Sequence, residues 1–192
     1  DNVQLLTETK ATRKGILDAF DKLIEQVNAN TDATAIIYFS GHGKRIKEGD
    51  DATHYLLLPY AFDLARRSET TISGSELMAR IDALKARKLV VLLDCCRAEG
   101  ISSRKEGQIT TLKSAPPPPD LLNTLSKGRG RVVIASCQQD EYSYTSVPYS
   151  IFTGCLLEAL GGKASVDQDG FARILDTIIY LQRQVPQRAN PH

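Results

Sequence analysis

Two apolar runs in this chain stop at residues able to do covalent chemistry. Ala33-Thr34-Ala35-Ile36-Ile37-Tyr38-Phe39 stops at Ser40-Gly41-His42-Gly43, and Leu89-Val90-Val91-Leu92-Leu93 stops at Asp94-Cys95-Cys96. An imidazole beside a thiol is the minimal apparatus for nucleophilic acyl transfer. The imidazole takes the thiol proton, and the thiolate attacks a carbonyl carbon. Strand side chains alternate, so Asp94 and Cys96 fall on one side and Cys95 on the other. Cys96 is therefore the expected nucleophile, with Cys95 buried under a helix. Gly41 and Gly43 are expected to let the backbone turn sharply around His42. The N–H groups of Gly43 and Cys96 would form an oxyanion hole, in which a single good donor contributes about 3–4 kcal/mol.

These residues need a scaffold that brings two strand ends together. Both runs are short, rich in β-branched residues and apolar on both faces, and Arg131-Val132-Val133-Ile134-Ala135-Ser136 is a third such run. Amphipathic helical spacing flanks and separates them, at Thr12 to about Val27, from Ser73 through Leu84, at about Tyr149–Leu160 and at about Phe171–Gln184. Ser73-Gly74-Ser75-Glu76 reads as a capping box. Tyr55–Leu58 reads as a further strand, and so does the stretch 3–7. Buried strands alternating with helices predict an α/β fold with a mostly parallel sheet covered on both faces. In such sheets ligands bind beyond the carboxyl ends of the strands, where His42 and Cys96 would lie.

Composition narrows the function classes. The chain has 192 residues, 42% hydrophobic and 24% charged, and a formal net charge of +1. This balance gives no reason to expect nucleic acid or an anionic membrane surface as partner. No apolar run approaches the roughly 20 residues that span a bilayer. The four cysteines, at 95, 96, 137 and 155, form neither a metal-type pair nor a secreted disulfide pattern. Free thiols in a reducing compartment are expected, hence a cytoplasmic location. No Gly-x-Gly-x-x-Gly turn or Walker loop follows a strand, which disfavours a nucleotide-binding domain.

Ile36 to Gly43 and Val90-Val91-Leu92-Leu93-Asp94-Cys95-Cys96-Arg97 resemble the histidine and cysteine motifs of metacaspases and the related bacterial orthocaspases. Arg131 to Glu141 resembles the next strand of that family and the acidic loop after it. The resemblance implies a caspase-like (caspase-hemoglobinase) fold over residues 1–192 as a single peptidase domain. It implies an endopeptidase with a His42–Cys96 dyad that cuts proteins or peptides after Arg or Lys. It makes Ser40 and Asp94 substrate-binding residues, and a carboxylate there suits a guanidinium through charge-assisted hydrogen bonds. Asp140 is a second candidate carboxylate, with Glu141 as its alternative.

The chain also departs from the family. Arg97 stands where metacaspases usually carry a His. The acidic stretch after the His motif is reduced to Glu48, Asp50 and Asp51, although calcium takes about six to eight oxygen ligands. No cofactor and no metal site are therefore expected, and calcium activation lacks a clear ligand set. Asp167-Gln168-Asp169-Gly170 reads as a turn. The resemblance finds no counterpart here of the family's first strand, so an N-terminal fragment of the same protein or a regulatory domain is an expected partner. The segment from about 98 to 130 is expected to be a long loop or processing linker. It contains Pro116–Pro119 and offers Arg104, Lys105, Lys113, Lys127 and Arg129 for self-cleavage. The alternative function is a catalytically silent caspase-like scaffold or regulatory module.

Overall fold

A computed structural model describes residues 2–48, 52–95, 101–105, 108–112, 115–136 and 148–189. In chain order the elements are α1 (Arg13–Ala29), β1 (Thr34–Ser40), β2 (His42–Glu48), β3 (Ala52–Leu58), α2 (Arg67–Thr70), β4 (Ile72–Ser73), α3 (Gly74–Ala83) and β5 (Lys88–Asp94). They continue with β6 (Ile101–Lys105), β7 (Gln108–Leu112), α4 (Pro119–Leu125), β8 (Arg131–Ala135), α5 (Ile151–Glu158) and α6 (Ile174–Ala189). The chain divides into two compact units, Asp1–Gln139 and Asp140–His192.

The first unit is built on a parallel three-stranded sheet in the order β1-β5-β8. The pairing aligns Ile36 with Val90 and Ser40 with Asp94, and Leu93 with Ala135. The three apolar runs of the sequence are these three strands, so the α/β reading holds. Phe20 and Val27 of α1, Leu77 and Ile81 of α3, and Leu121 and Leu125 of α4 pack with Leu89, Val91, Leu93 and Cys95 of β5 into one core. A second, antiparallel sheet runs β2-β3-β4. It adds Tyr55, Leu57 and Ile72 to the same core.

Local signals explain the helix ends. Thr12 caps α1 by accepting from the Gly15 N–H at 3.2 Å. Ser73 and Glu76 make the reciprocal capping box at the start of α3, at 3.1 and 3.0 Å. Arg13 ties the two helices together by donating to the Thr71 carbonyl at 2.9 Å and pairing with Glu76. Gly130, at φ +72°, turns the chain into β8 where a Cβ would meet the Arg87 carbonyl oxygen at 2.2 Å. Only a residue without a side chain fits there.

Two expectations need correction. Residues 2–7 form no strand, and Val3 and Leu5 are exposed. A short apolar stretch needs a ladder partner, and it has none among the described residues. The segment 98–130 is not one loop, because β6 and β7 pair as a hairpin and α4 follows. Its Ser, Thr and Lys content hid a strand pair that gains its hydrogen bonds locally. The two faces of β1 differ in exposure. Ile36 is 63% and Tyr38 44% exposed on the face shared with Ser40, while Ala35 is buried on the other.

In the second unit, Glu158 at the end of α5 accepts from Tyr180 and Arg188 of α6, each at 2.7 Å. The Arg188 and Tyr180 hydrogen bonds hold its carboxyl down to about 2.

The core around β5 sets the position of the Asp94 end. Leu93→Ala removes a fully buried side chain, and we expect it to cost about 2–5 kcal/mol. Urea unfolding measures this. A loss below about 0.5 kcal/mol, the range of a neutral surface change, would mean that β5 is not the packed centre.

Candidate active site

The two motifs meet because β1 and β5 are parallel neighbours in register. Ser40 lies opposite Asp94, and the Gly41 N–H donates to the Asp94 carbonyl at 3.1 Å. That bond joins the histidine motif to the cysteine motif at the carboxyl edge of the sheet. Parallel strands present such an edge for ligands and chemistry.

His42 follows immediately as the first residue of β2, paired with Leu58 of β3. The chain bends at Gly41 and then runs extended, so the sharp turn expected around His42 is confined to one residue. The imidazole is partly buried, and its Nδ1 has no hydrogen-bond partner among the described residues. Burial pushes its pKa below the ordinary 6.5. The ring is therefore neutral at neutral pH and able to accept a proton.

Gly43 is needed for a reason the sequence did not disclose. A Cβ there would lie 1.8 Å from the Tyr55 hydroxyl and 2.7 Å from the Ala115 carbonyl oxygen. The Gly43 carbonyl accepts the Ala115 N–H at 2.7 Å, and Tyr55 donates to the Ala115 carbonyl at 3.2 Å. Arg45, the cross-strand partner of Tyr55, donates to the Pro116 carbonyl at 3.2 Å. Sequence reading missed Arg45, Tyr55 and Ala115. The available signal was Tyr55 itself, an aromatic with a polar tip directly before three leucines.

On β5, Asp94 is 5% exposed and Cys95 1%. Cys95 belongs to the core with Leu93 and Val91, as strand alternation predicts. Ser40 is exposed at the register position of Asp94. Cys96 and Asp140 lie outside the described residues, as do Glu141, Cys137, Tyr142 and Tyr144. Cys155 is a buried free thiol within α5. Burial raises its pKa.

No group of His, Cys, Asp and Glu able to hold a metal occurs among the described residues. The 167–170 stretch forms a turn in which Arg173 donates to Asp169 at 2.9 Å and the Phe171 N–H donates at 3.1 Å. The Arg173 bond, with the backbone N–H, holds the Asp169 carboxyl down to about 2. That carboxylate already has a cation.

The depressed pKa of His42 has a stability consequence. Its folded value lies below the unfolded one, so below about pH 6.5 the unfolded chain takes up a proton that the folded chain resists. Stability from the neutral imidazole is complete above about pH 6.5 and is lost as the pH falls toward the folded value. His42→Gln, which does not titrate, should flatten this acid-side decline. Urea midpoints of the two proteins between about pH 7.5 and about pH 5 measure it. Identical pH slopes would show that His42 is not held neutral by burial.

No helix among the described residues is long and apolar enough to cross a membrane. A comparison with curated proteins returns no match. A sequence model of the caspase domain matches residues 2–190, nearly the whole chain and both motifs with it. The strand order, the two motifs at one sheet edge and that match agree, and the chain belongs to the caspase-domain family of cysteine peptidases.

Proposed function

We propose that the chain is an endopeptidase of metacaspase or orthocaspase type that hydrolyses peptide bonds after Arg or Lys. The observation that carries this reading is the Ser40–Asp94 register with its Gly41-to-Asp94 bond. It sets a hydroxyl and a carboxyl at one strand edge, each two residues before a member of the dyad.

In the proposed mechanism His42 takes the Cys96 thiol proton and the thiolate attacks the scissile carbonyl. The N–H groups of Gly43 and Cys96 hold the developing oxyanion. The His42 imidazolium then returns the proton to the leaving amine. An acyl-enzyme remains on Cys96, and water, deprotonated by His42, hydrolyses it. Ser40, Asp94 and Asp140 hold the basic side chain of the residue before the scissile bond. The buried position of Asp94 supports this role, because a carboxylate screened from water attracts a guanidinium strongly.

The same reading makes the whole chain one peptidase domain and the 98–130 segment a site of self-processing. Protein or peptide substrates are its partners. It needs no cofactor, and the free thiols of Cys95 and Cys155 fit a cytoplasmic setting.

Reporter peptides ending in Arg, Lys and Asp test specificity. Arg and Lys should be cleaved and Asp not. Cys96→Ala should lower turnover at least about a thousandfold. Asp94→Asn should reduce kcat/KM on the arginyl peptide about 10- to 100-fold, the effect of one charge-assisted hydrogen bond. Preference for Asp would sink the basic pocket, and a wild type silent on every peptide would favour the scaffold reading.

Self-processing is checked by incubating wild type and Cys96→Ala and following chain size. Fragments should arise from the wild type alone. Equal cutting of both, or of neither, would refute it.

A further inference from the structure

The segment between the cysteine motif and β8 is bonded to the histidine motif at its far end. Ala115 and Pro116 make three hydrogen bonds to the antiparallel sheet. The Ala115 N–H goes to the Gly43 carbonyl at 2.7 Å, the Tyr55 hydroxyl to the Ala115 carbonyl at 3.2 Å, and Arg45 Nη2 to the Pro116 carbonyl at 3.2 Å. Register explains why these residues act together. Arg45 and Tyr55 are cross-strand partners, and Gly43 precedes Arg45 by two on the same face. The Tyr55 ring therefore lies over Gly43, where no side chain fits. Tyr55 and Pro116 are buried. Arg45 Nε is buried with no partner among the described residues. An unmet buried donor is costly, so this guanidinium is held by its place in the clamp and not by general solvation.

We propose that Tyr55 and Arg45 are positioning residues for His42, clamping Ala115 and Pro116 onto β2 and so fixing the strand that starts at the imidazole. The proposal rests on the reading of His42 as the base. His42 is joined to Gly43 by one peptide bond, so a shift of the Gly43 backbone moves the ring. Misplacement of a catalytic group by about 1 Å costs up to about a hundredfold in rate. The clamp also assigns a role to the four-proline stretch. Its first residue, Pro116, is buried and accepts from Arg45 of β2.

The test uses the full chain with Tyr55→Phe, which removes one oxygen and keeps the ring, and with Arg45→Met and Arg45→Lys. In Tyr55→Phe the Ala115 amide should exchange with solvent about tenfold faster, the loss of one hydrogen bond. The NMR signals of the His42 ring should shift. On the arginyl peptide kcat should fall about threefold to tenfold with KM changed less than about twofold. Arg45→Met should behave alike, and Arg45→Lys, which keeps a donor, should recover part of the loss. Faster Ala115 exchange with unmoved His42 signals and unchanged kcat would overturn the proposal, leaving the clamp as a stabilising contact only. A wild type without turnover would defeat the peptidase reading, and the His42 ring signals would then decide the clamp alone. If Tyr55→Phe fails to fold, the Arg45 pair carries the same readouts.

Discussion

The pairing of β1 with β5 is the constraint on which the rest depends. Two parallel strands distant in sequence end at the same level because Ser40 is aligned with Asp94, and one further bond from Gly41 closes the ladder. A slip of one residue would turn Asp94 toward the core and bring Cys95 to the outer face. Burial specifies the register strongly, since Leu89, Val91, Leu93 and Cys95 all pack inward. The hydrophobic core and the chemistry are thus fixed by one alignment. Residues of α1, α3 and α4 serve the site by holding β5 in place.

Electrostatics plays a different part away from that edge. Glu76 bonds the Ser73 N–H with one oxygen and pairs with Arg13 through the other. One carboxylate thereby caps α3 and connects it to α1. In the second unit Glu158 collects Arg188, Tyr180 and Lys163. These partly exposed groups orient helices, and screening by water keeps their separate contributions small. His42 is the contrasting case, a group kept neutral by burial.

The central strands were legible in the sequence because each is a continuous apolar run, and the helices because their periodicity and caps agree. Ser73 and Glu76 signalled the start of α3 to the residue. What was not legible had a common cause. Residues 42–48 carry one aliphatic side chain, Ile46, among charges and glycine, yet they form a full strand because β3 supplies every pairing partner. The hairpin of β6 and β7 was hidden likewise by polar composition. The stretch 3–7 erred in the other direction, since β-branched and aliphatic residues make a strand only where an edge receives them. At the site, alternation correctly separated Cys95 from Asp94. The reason for Gly43 lay in Tyr55 and Ala115, which are distant in sequence and invisible to a local motif.

The prolines after Ala115 limit what the antiparallel sheet can recruit. β2 is an edge strand, and exposed edges invite further strands, including those of other molecules. Ala115 supplies an amide hydrogen to that edge, and the next four residues have none to give. Pairing begun at Gly43 therefore cannot propagate from Ala115 toward α4. The prolines pass instead into α4, where Pro119 occupies the first turn that tolerates it. The chain thus lays against part of its own open edge a segment that has no amide hydrogens with which to continue a ladder.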